Sequence, residues 1–197
     1  LSIKVTEVRW HGRGGQGIVT ASQLLARAAL REGKYIQSFP EFGPERMGAP
    51  IKSYTRISDA AIKIHSGVES PDIVVVLDPT LIGHINIGEG LAENGLIILN
   101  SNLSIEQAAK ESGLSENNIL TIDASKIAVE SIGKNIVNTC IMGALVKATG
   151  IVSLETLIKE IEMSFTGKFN RKLIDGNITA AKRAYSELKL DDKKGLA

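Results

Sequence analysis

Two periods of apolar residues run through this chain. Val5–Gly12 has strand character, with Val5 and Val8 apolar and Trp10 closing the run. Gly12–Gly17 is a glycine-rich turn. From Ile18 to Glu32 the period becomes helical, placing Val19, Leu24, Leu25, Ala28 and Ala29 mostly on one side, and Gly33 is a natural stop. Tyr35–Phe39 reads as a second strand, so the first forty residues predict a right-handed β–loop–α–β unit with parallel strands. Pro40–Pro50 is punctuated by Pro40, Gly43, Pro44 and Gly48 and is expected to be loop. Ile51–Ile57 and Ala60–Ile64 read as two strands of a hairpin turning at Ser58-Asp59.

Farther on the apolar residues form short continuous runs. Asp72–Asp78 (D-I-V-V-V-L-D), Gly95–Asn100 (G-L-I-I-L-N) and the weaker Ile119–Ile122 are typical of strands buried on both faces. Between and after them, helical patterns cover Ser104–Ser112, Ala124–Ile132, Asn135–Thr149, Ser153–Ser164 and Asn170–Leu188, with Ser153 placed to cap its helix. Strands alternating with helices predict a three-layer α/β/α domain over residues 1–188, built on a mainly parallel sheet that the 51–64 hairpin makes mixed. Residues 189–197 read as a flexible C-terminal tail.

Composition then excludes several classes of function. The 197 residues carry 23 Lys+Arg against 22 Asp+Glu, a net charge of +1, where a general nucleic-acid binder is clearly basic. Aromatic residues make up 4%, too few for base-stacking platforms. The single cysteine, Cys140, allows no disulfide within the chain and no iron–sulfur cluster held by this chain alone. His11, His65 and His84 are scattered, without zinc-ligand spacing. The longest apolar run, Ile73–Leu77, is strand-sized rather than membrane-spanning, and no signal-peptide pattern opens the chain, so the expected location is the cytoplasm.

The sharpest candidate for chemistry is Gly12-Arg13-Gly14-Gly15-Gln16-Gly17. It matches G-x-G-x-x-G and sits between a strand and a helix. Such glycines let the backbone turn tightly and bring an anion to helix N–H groups, and Arg13 would add a charged contact to a phosphate. A tight β–α turn without ligand is the alternative. The acidic residue that an NAD site places after the second strand is displaced here to Glu41, beyond a proline, which argues against NAD. The second feature is Phe39–Pro50, with rigid Pro and Gly points around Glu41, Glu45 and Arg46. Both features belong to the carboxyl edge of a parallel sheet, where α/β proteins bind ligands, although an ordered capping loop fits the second equally. Asp78, Asn100 and Asp123 follow strands at the same edge and read as helix caps or as site residues. Cys140, between apolar neighbours, reads as a buried filler, Asn138 as a buried polar contact, and His65 and His84 as solvated. No nucleophile–base pair and no metal set emerges, so no catalytic residue is assigned.

Trp10–Ser22 (W-H-G-R-G-G-Q-G-I-V-T-A-S) and Phe42–Ile51 (F-G-P-E-R-M-G-A-P-I), together with Asp72–Thr80, Gly95–Asn100 and Asn138–Leu145, resemble the gamma subunits of the 2-oxoacid:ferredoxin oxidoreductases over about residues 3–185. Arg46-Met47-Gly48-Ala49-Pro50 is similar to the pyruvate type, with a branched-chain 2-oxoacid enzyme as the alternative. The resemblance implies a subunit of an enzyme that converts pyruvate, coenzyme A and oxidised ferredoxin reversibly to acetyl-CoA, CO2 and reduced ferredoxin. It implies thiamine diphosphate and [4Fe-4S] clusters in partner alpha, beta and delta subunits, none of them bound by this chain alone, and no partner in nucleic acid or membrane. Carried onto this chain, the candidate coenzyme A contacts are Arg13, Gly14, Gly15, Gln16 and Gly17 in the first motif and Glu45 and Arg46 in the second. Readings of another class are a stand-alone NAD-type dehydrogenase and a purely structural subunit.

Overall fold

The computed structural model describes residues 4–41 and 48–190. Glu45, Arg46 and most of the second motif lie outside the described residues, as does the tail from residue 191. Six strands, β1 (Val5–Arg13), β2 (Tyr35–Glu41), β3 (Pro50–Ser58), β4 (Ile73–Val76), β5 (Leu96–Asn100) and β6 (Ile119–Ile122), form one sheet in the order β2-β3-β1-β4-β5-β6. β1, β4, β5 and β6 are mutually parallel, and β3 runs antiparallel between β1 and β2.

The sheet is therefore mixed, but not for the expected reason. Residues 60–64 form no strand, and the predicted hairpin partner is replaced by two long-range partners. β3 inserts between the two strands of the first β–α–β unit, so those strands run the same way without touching. The expected loop at Pro40–Pro50 is also shorter. β2 continues through Pro40 and Glu41, and β3 begins at Pro50. β2 is an edge strand, and an edge tolerates a proline that cannot donate to a ladder.

The helices are α1 (Ile18–Arg31), α2 (Ile105–Ser112), α3 (Ala124–Ile132), α4 (Asn138–Thr149), α5 (Leu154–Phe165) and α6 (Arg171–Glu187). α4 starts three residues later than its apolar pattern suggests. On one side of the sheet, Val8, Trp10, Ile73, Val75, Leu96, Ile98 and Leu120 pack with α1, α3, α4, α5 and α6 in a single core. Gly143 permits the α4–α6 approach, since a Cβ there would stand 2.0 Å from the Ala181 carbonyl oxygen. On the other side, Val74, Val76, Ile97, Leu99 and Ile119 are covered by α2 and by Leu81, Ile82 and Ile87. The third layer thus exists, but it holds one α-helix against five.

Over the β2-β3-β1 half, that thin side changes character. Cross-strand register aligns Gln37, Arg56 and Glu7, then Phe39, Tyr54 and Arg9, then Glu41, Lys52 and His11 on one face. The Arg56 guanidinium is buried and bonds Glu7 Oε1 at 2.6 Å, Gln37 Oε1 at 3.2 Å and the Gly67 carbonyl at 2.9 Å. Arg9, also buried, bonds the carbonyls of Ile87 and Glu89 and the Nε2 atom of His11. Two arginines thereby pin irregular segments onto the sheet where other α/β domains place a helix. No helix among the described residues is long and apolar enough to cross a membrane.

Candidate functional site at the carboxyl edge

β1 feeds α1 on one side of its position in the sheet, while β4 feeds β5 and β6 on the other. The connections diverge between β1 and β4, which makes the carboxyl ends of these two strands the crevice where open α/β sheets take ligands. The glycine turn leaves β1 at this point, and Asp78 follows β4 beside it.

Each turn residue has a defined place. Gln16 folds back so that its Oε1 accepts from the Arg13 amide at 2.7 Å, and its Nε2 donates to Asp78 Oδ2 at 2.7 Å. Arg13 Nε lies 3.1 Å from Asp78 Oδ2, its Nη2 donates to Thr80 Oγ1 at 2.9 Å, and its Nη1 donates to the Gly48 carbonyl at 3.0 Å. The Gly14 amide donates to the Ala49 carbonyl at 3.2 Å. Arg13 and Gly14 therefore fasten the end of the second motif to the first, and the two glycine-punctuated segments meet on one rim. Gly15 needs its hydrogen side chain for conformation alone, with φ at +92° and open space around it. Gly17 needs it for conformation and space, since φ is +76° and a Cβ would stand 2.7 Å from Asn138 Nδ2.

Asp78 is the hub of this arrangement. Burial pushes its carboxyl up, but hydrogen bonds from the Thr80 hydroxyl and amide and from Gln16, with the Arg13 charge, outweigh that and hold it below the usual aspartate value. It both caps, its Oδ1 accepting from the Thr80 amide at 2.9 Å, and ties the glycine turn to the end of β4 through Gln16 and Arg13. Asp123 caps α3 through the Lys126 amide. Asn100 clips the edge together, donating to the Leu77 carbonyl and accepting from the Ser125 amide.

What this geometry offers a ligand is a set of N–H groups. Side chains cap α2, α3, α5 and α6, through Ser104, Asp123, Ser153 and Asn170. α1 and α4 have no side-chain cap from the residue before them, and α1 has no acid in its first turn. These two helices begin side by side, with Gly17 against Asn138. Within α4 the Thr139 amide bonds Asn138 Oδ1, so α1 supplies the more open end. Two positive helix ends beside a glycine turn suit a phosphate or another anion. Arg13 and Gln16 are tied into the scaffold, so they shape that turn before they touch anything else.

Other residues resolve as follows. Cys140 is fully buried in the first turn of α4, and burial pushes its thiol up to about 12, so it is no nucleophile. His65 and His84 are exposed. His11 is the surprise. It is buried immediately before Gly12, and burial, with the charges of Arg9 and Lys52, holds its imidazole neutral down to about 3. Polar residues at Glu7, Arg9 and His11, alternating with Val8 and Trp10, were the signal for this polar face. Among the described residues no group of three His, Cys, Asp or Glu converges as metal ligands. The chain's one thiol is buried in α4, so its donor set does not fit an iron–sulfur cluster.

Among the described residues, then, the protein is an open α/β domain whose glycine turn is tied to the end of a second loop. Residues 7–187 match the family model described as pyruvate ferredoxin/flavodoxin oxidoreductase. The chain is 47% identical over 189 residues to the pyruvate synthase subunit PorC of Thermotoga maritima, covering 96% of this chain and 97% of that one. It is 44% identical to the common gamma subunit of the pyruvate/ketoisovalerate oxidoreductases of Thermococcus kodakarensis, covering 92% and 96%. The crystal structure of the Thermotoga maritima subunit superposes with a TM-score of 0.82 over 94% of this chain and 98% of that one. The 2-oxoglutarate:ferredoxin oxidoreductase of Magnetococcus marinus, solved with 2-oxoglutarate, coenzyme A and succinyl-CoA bound, shares the fold at 18% identity and a TM-score of 0.75, covering 98% of this chain and 33% of that one. The chain belongs to the pyruvate ferredoxin/flavodoxin oxidoreductase family, as a gamma-type subunit of a multi-subunit oxidoreductase.

Proposed function

We propose that the oxidoreductase served by this chain acts on pyruvate in the cytoplasm, transferring the acetyl group to coenzyme A and electrons to ferredoxin, with this subunit contributing to coenzyme A binding and to assembly. Alpha, beta and delta subunits would hold the thiamine diphosphate and the clusters. Here the glycine turn would receive the phosphates of coenzyme A on the N-terminal amides of α1, with Gly14, Gly15 and Gly17 giving the approach and Arg13 and Gln16 holding its shape. Glu45 and Arg46, outside the described residues, are the contacts proposed on the second motif. The observation that carries this reading is the start of α1, which has no side-chain cap and no acid in its first turn, beside the start of α4 at the switch-point edge. An NAD pocket places its ribose-binding acid on the strand beside the first; here Glu41 ends β2, but β3 separates β2 from β1 and Glu41 accepts from the Tyr54 hydroxyl.

Gly17→Ala in the assembled enzyme tests it. The added methyl meets Asn138 and the residue must leave its left-handed conformation, so the KM for coenzyme A is expected to rise roughly tenfold or more with the KM for pyruvate unchanged. An unaltered coenzyme A KM would sink the site. A kcat/KM for branched-chain 2-oxoacids matching that for pyruvate would move the substrate assignment to the shared type.

A further inference from the structure

The outer surface where α1 meets α5 combines unmatched positive charge with exposed apolar groups. A groove of about 190 Å³ is lined by Thr20, Gln23 and Arg27 of α1, by Ser164 of α5, and by Lys168 and Phe169 just beyond it. Five of the seven described arginines pair with carboxylates, and Arg9 is held by carbonyls. Arg27 donates to the Ser164 hydroxyl at 3.3 Å, which in turn donates to Glu160, itself paired with Arg31, and Arg27 has no ion pair of its own among the described residues. Lys168 has no ion pair among the described residues, and no carboxylate lines the groove. Three large apolar side chains are exposed on the same helix pair and its exit, namely Leu30 (57%), Met163 (59%) and Phe169 (46%).

We propose that this α1–α5 face docks a companion subunit of the oxidoreductase through a segment bearing a carboxylate beside an apolar side chain. The proposal rests on the chain's membership of a multi-subunit enzyme and is independent of the coenzyme A site. The groove is smaller than the roughly 300–1,000 Å³ of small-molecule sites, and a small ligand in it would leave Leu30 and Met163 bare. A second copy docking symmetrically would set Arg27 and Lys168 against their own counterparts, a like-charge contact. A carboxylate from a different chain matches the unpaired guanidinium, and an apolar neighbour covers Phe169, whose edge contact with Phe165 holds it in place.

The test reassembles the complete enzyme from its subunits, with the parent chain or the Arg27→Glu, Lys168→Glu double variant, and follows assembly by sedimentation and native mass spectrometry. The double reversal is expected to weaken assembly at least about tenfold, Phe169→Ser to weaken it by a smaller factor, and Arg27→Lys to retain most of it. Raised salt should weaken the parent and leave the reversal variant little changed. Assembly of the reversal variant within about twofold of the parent overturns the proposal. So does thermal stabilisation by inorganic phosphate that needs Arg27 while assembly is unaffected, or a dimer of the lone chain that the reversal abolishes. If the reversal variant does not fold, the Phe169→Ser variant and the salt dependence of the parent decide in the same directions. A parent chain that joins no companion at all would instead refute the subunit reading itself.

Discussion

The two halves of the thinly covered sheet face solve one problem in different ways. Over β4, β5 and β6 the face is Val74, Val76, Ile97, Leu99 and Ile119, closed by α2 and apolar loop residues. Over β1, β3 and β2 it is Glu7, Arg9, His11, Tyr54 and Arg56, closed by carbonyls of residues 67, 87 and 89 that two arginines hold. Apolar cover is non-directional and tolerates approximate fit. Pinned cover depends on every donor meeting an acceptor, because a buried unpaired charge costs far more than a lost apolar contact. The polar half borders the glycine turn through His11 and Arg13, so the directional cover lies where the site needs a fixed frame.

Exchanging chemistries across the boundary should produce the largest effect. Val76 pairs in register with His11, and Val76→Asp would place an unpaired charge among apolar neighbours. A loss of at least about 5 kcal/mol is expected, read as loss of the folded state in urea titrations. Removing a pin comes next. Arg56→Ala strands the Gly67 carbonyl and Glu7 and should cost about 3–4 kcal/mol, while Arg56→Met, which keeps the bulk, should cost about half as much. The third effect depends on pH. The unfolded chain protonates His11 below its ordinary value of 6.5, whereas the folded chain keeps it neutral to about 3. The unfolded state thus binds the extra proton in that window, and stability falls as pH falls through it. Relative to His11→Gln, the parent should lose about 1.6 kcal/mol on going from pH 6.5 to pH 5. Parallel curves for the two proteins would show that the imidazole titrates freely. The smallest effect belongs to the helix-covered half, where Ser104→Ala removes the capping box of α2 and should cost about 1 kcal/mol.

Much of this was readable before any coordinates. The continuous apolar runs located β4, β5 and β6, because a strand buried on both faces leaves no polar position to blur its ends. Ser153 marked the start of α5 through its cap, and the structure adds Ser104 and Asn170 as the caps of α2 and α6. The glycine turn and its place between β1 and α1 were plain from spacing alone. Ala60–Ile64 was misread because a short alternating stretch looks like a strand whether or not an edge is available to pair with it. Arg9, His11 and Arg56 were passed over because a charged residue on a strand reads as solvent-facing, and their partners, three main-chain carbonyls, have no sequence signature.

Local pattern therefore determined most of the elements, the mixed α/β class and the place of the glycine turn, since these depend on residues within a few positions of one another. Tertiary structure alone decided that β3 lies between β1 and β2, that Asp78 joins Gln16 and Arg13 across more than sixty residues, that α1 and α4 begin side by side, and that Arg27 has no ion pair among the described residues. Each is a contact between distant segments, and the period and propensity of a segment carry no record of which other segment it will meet.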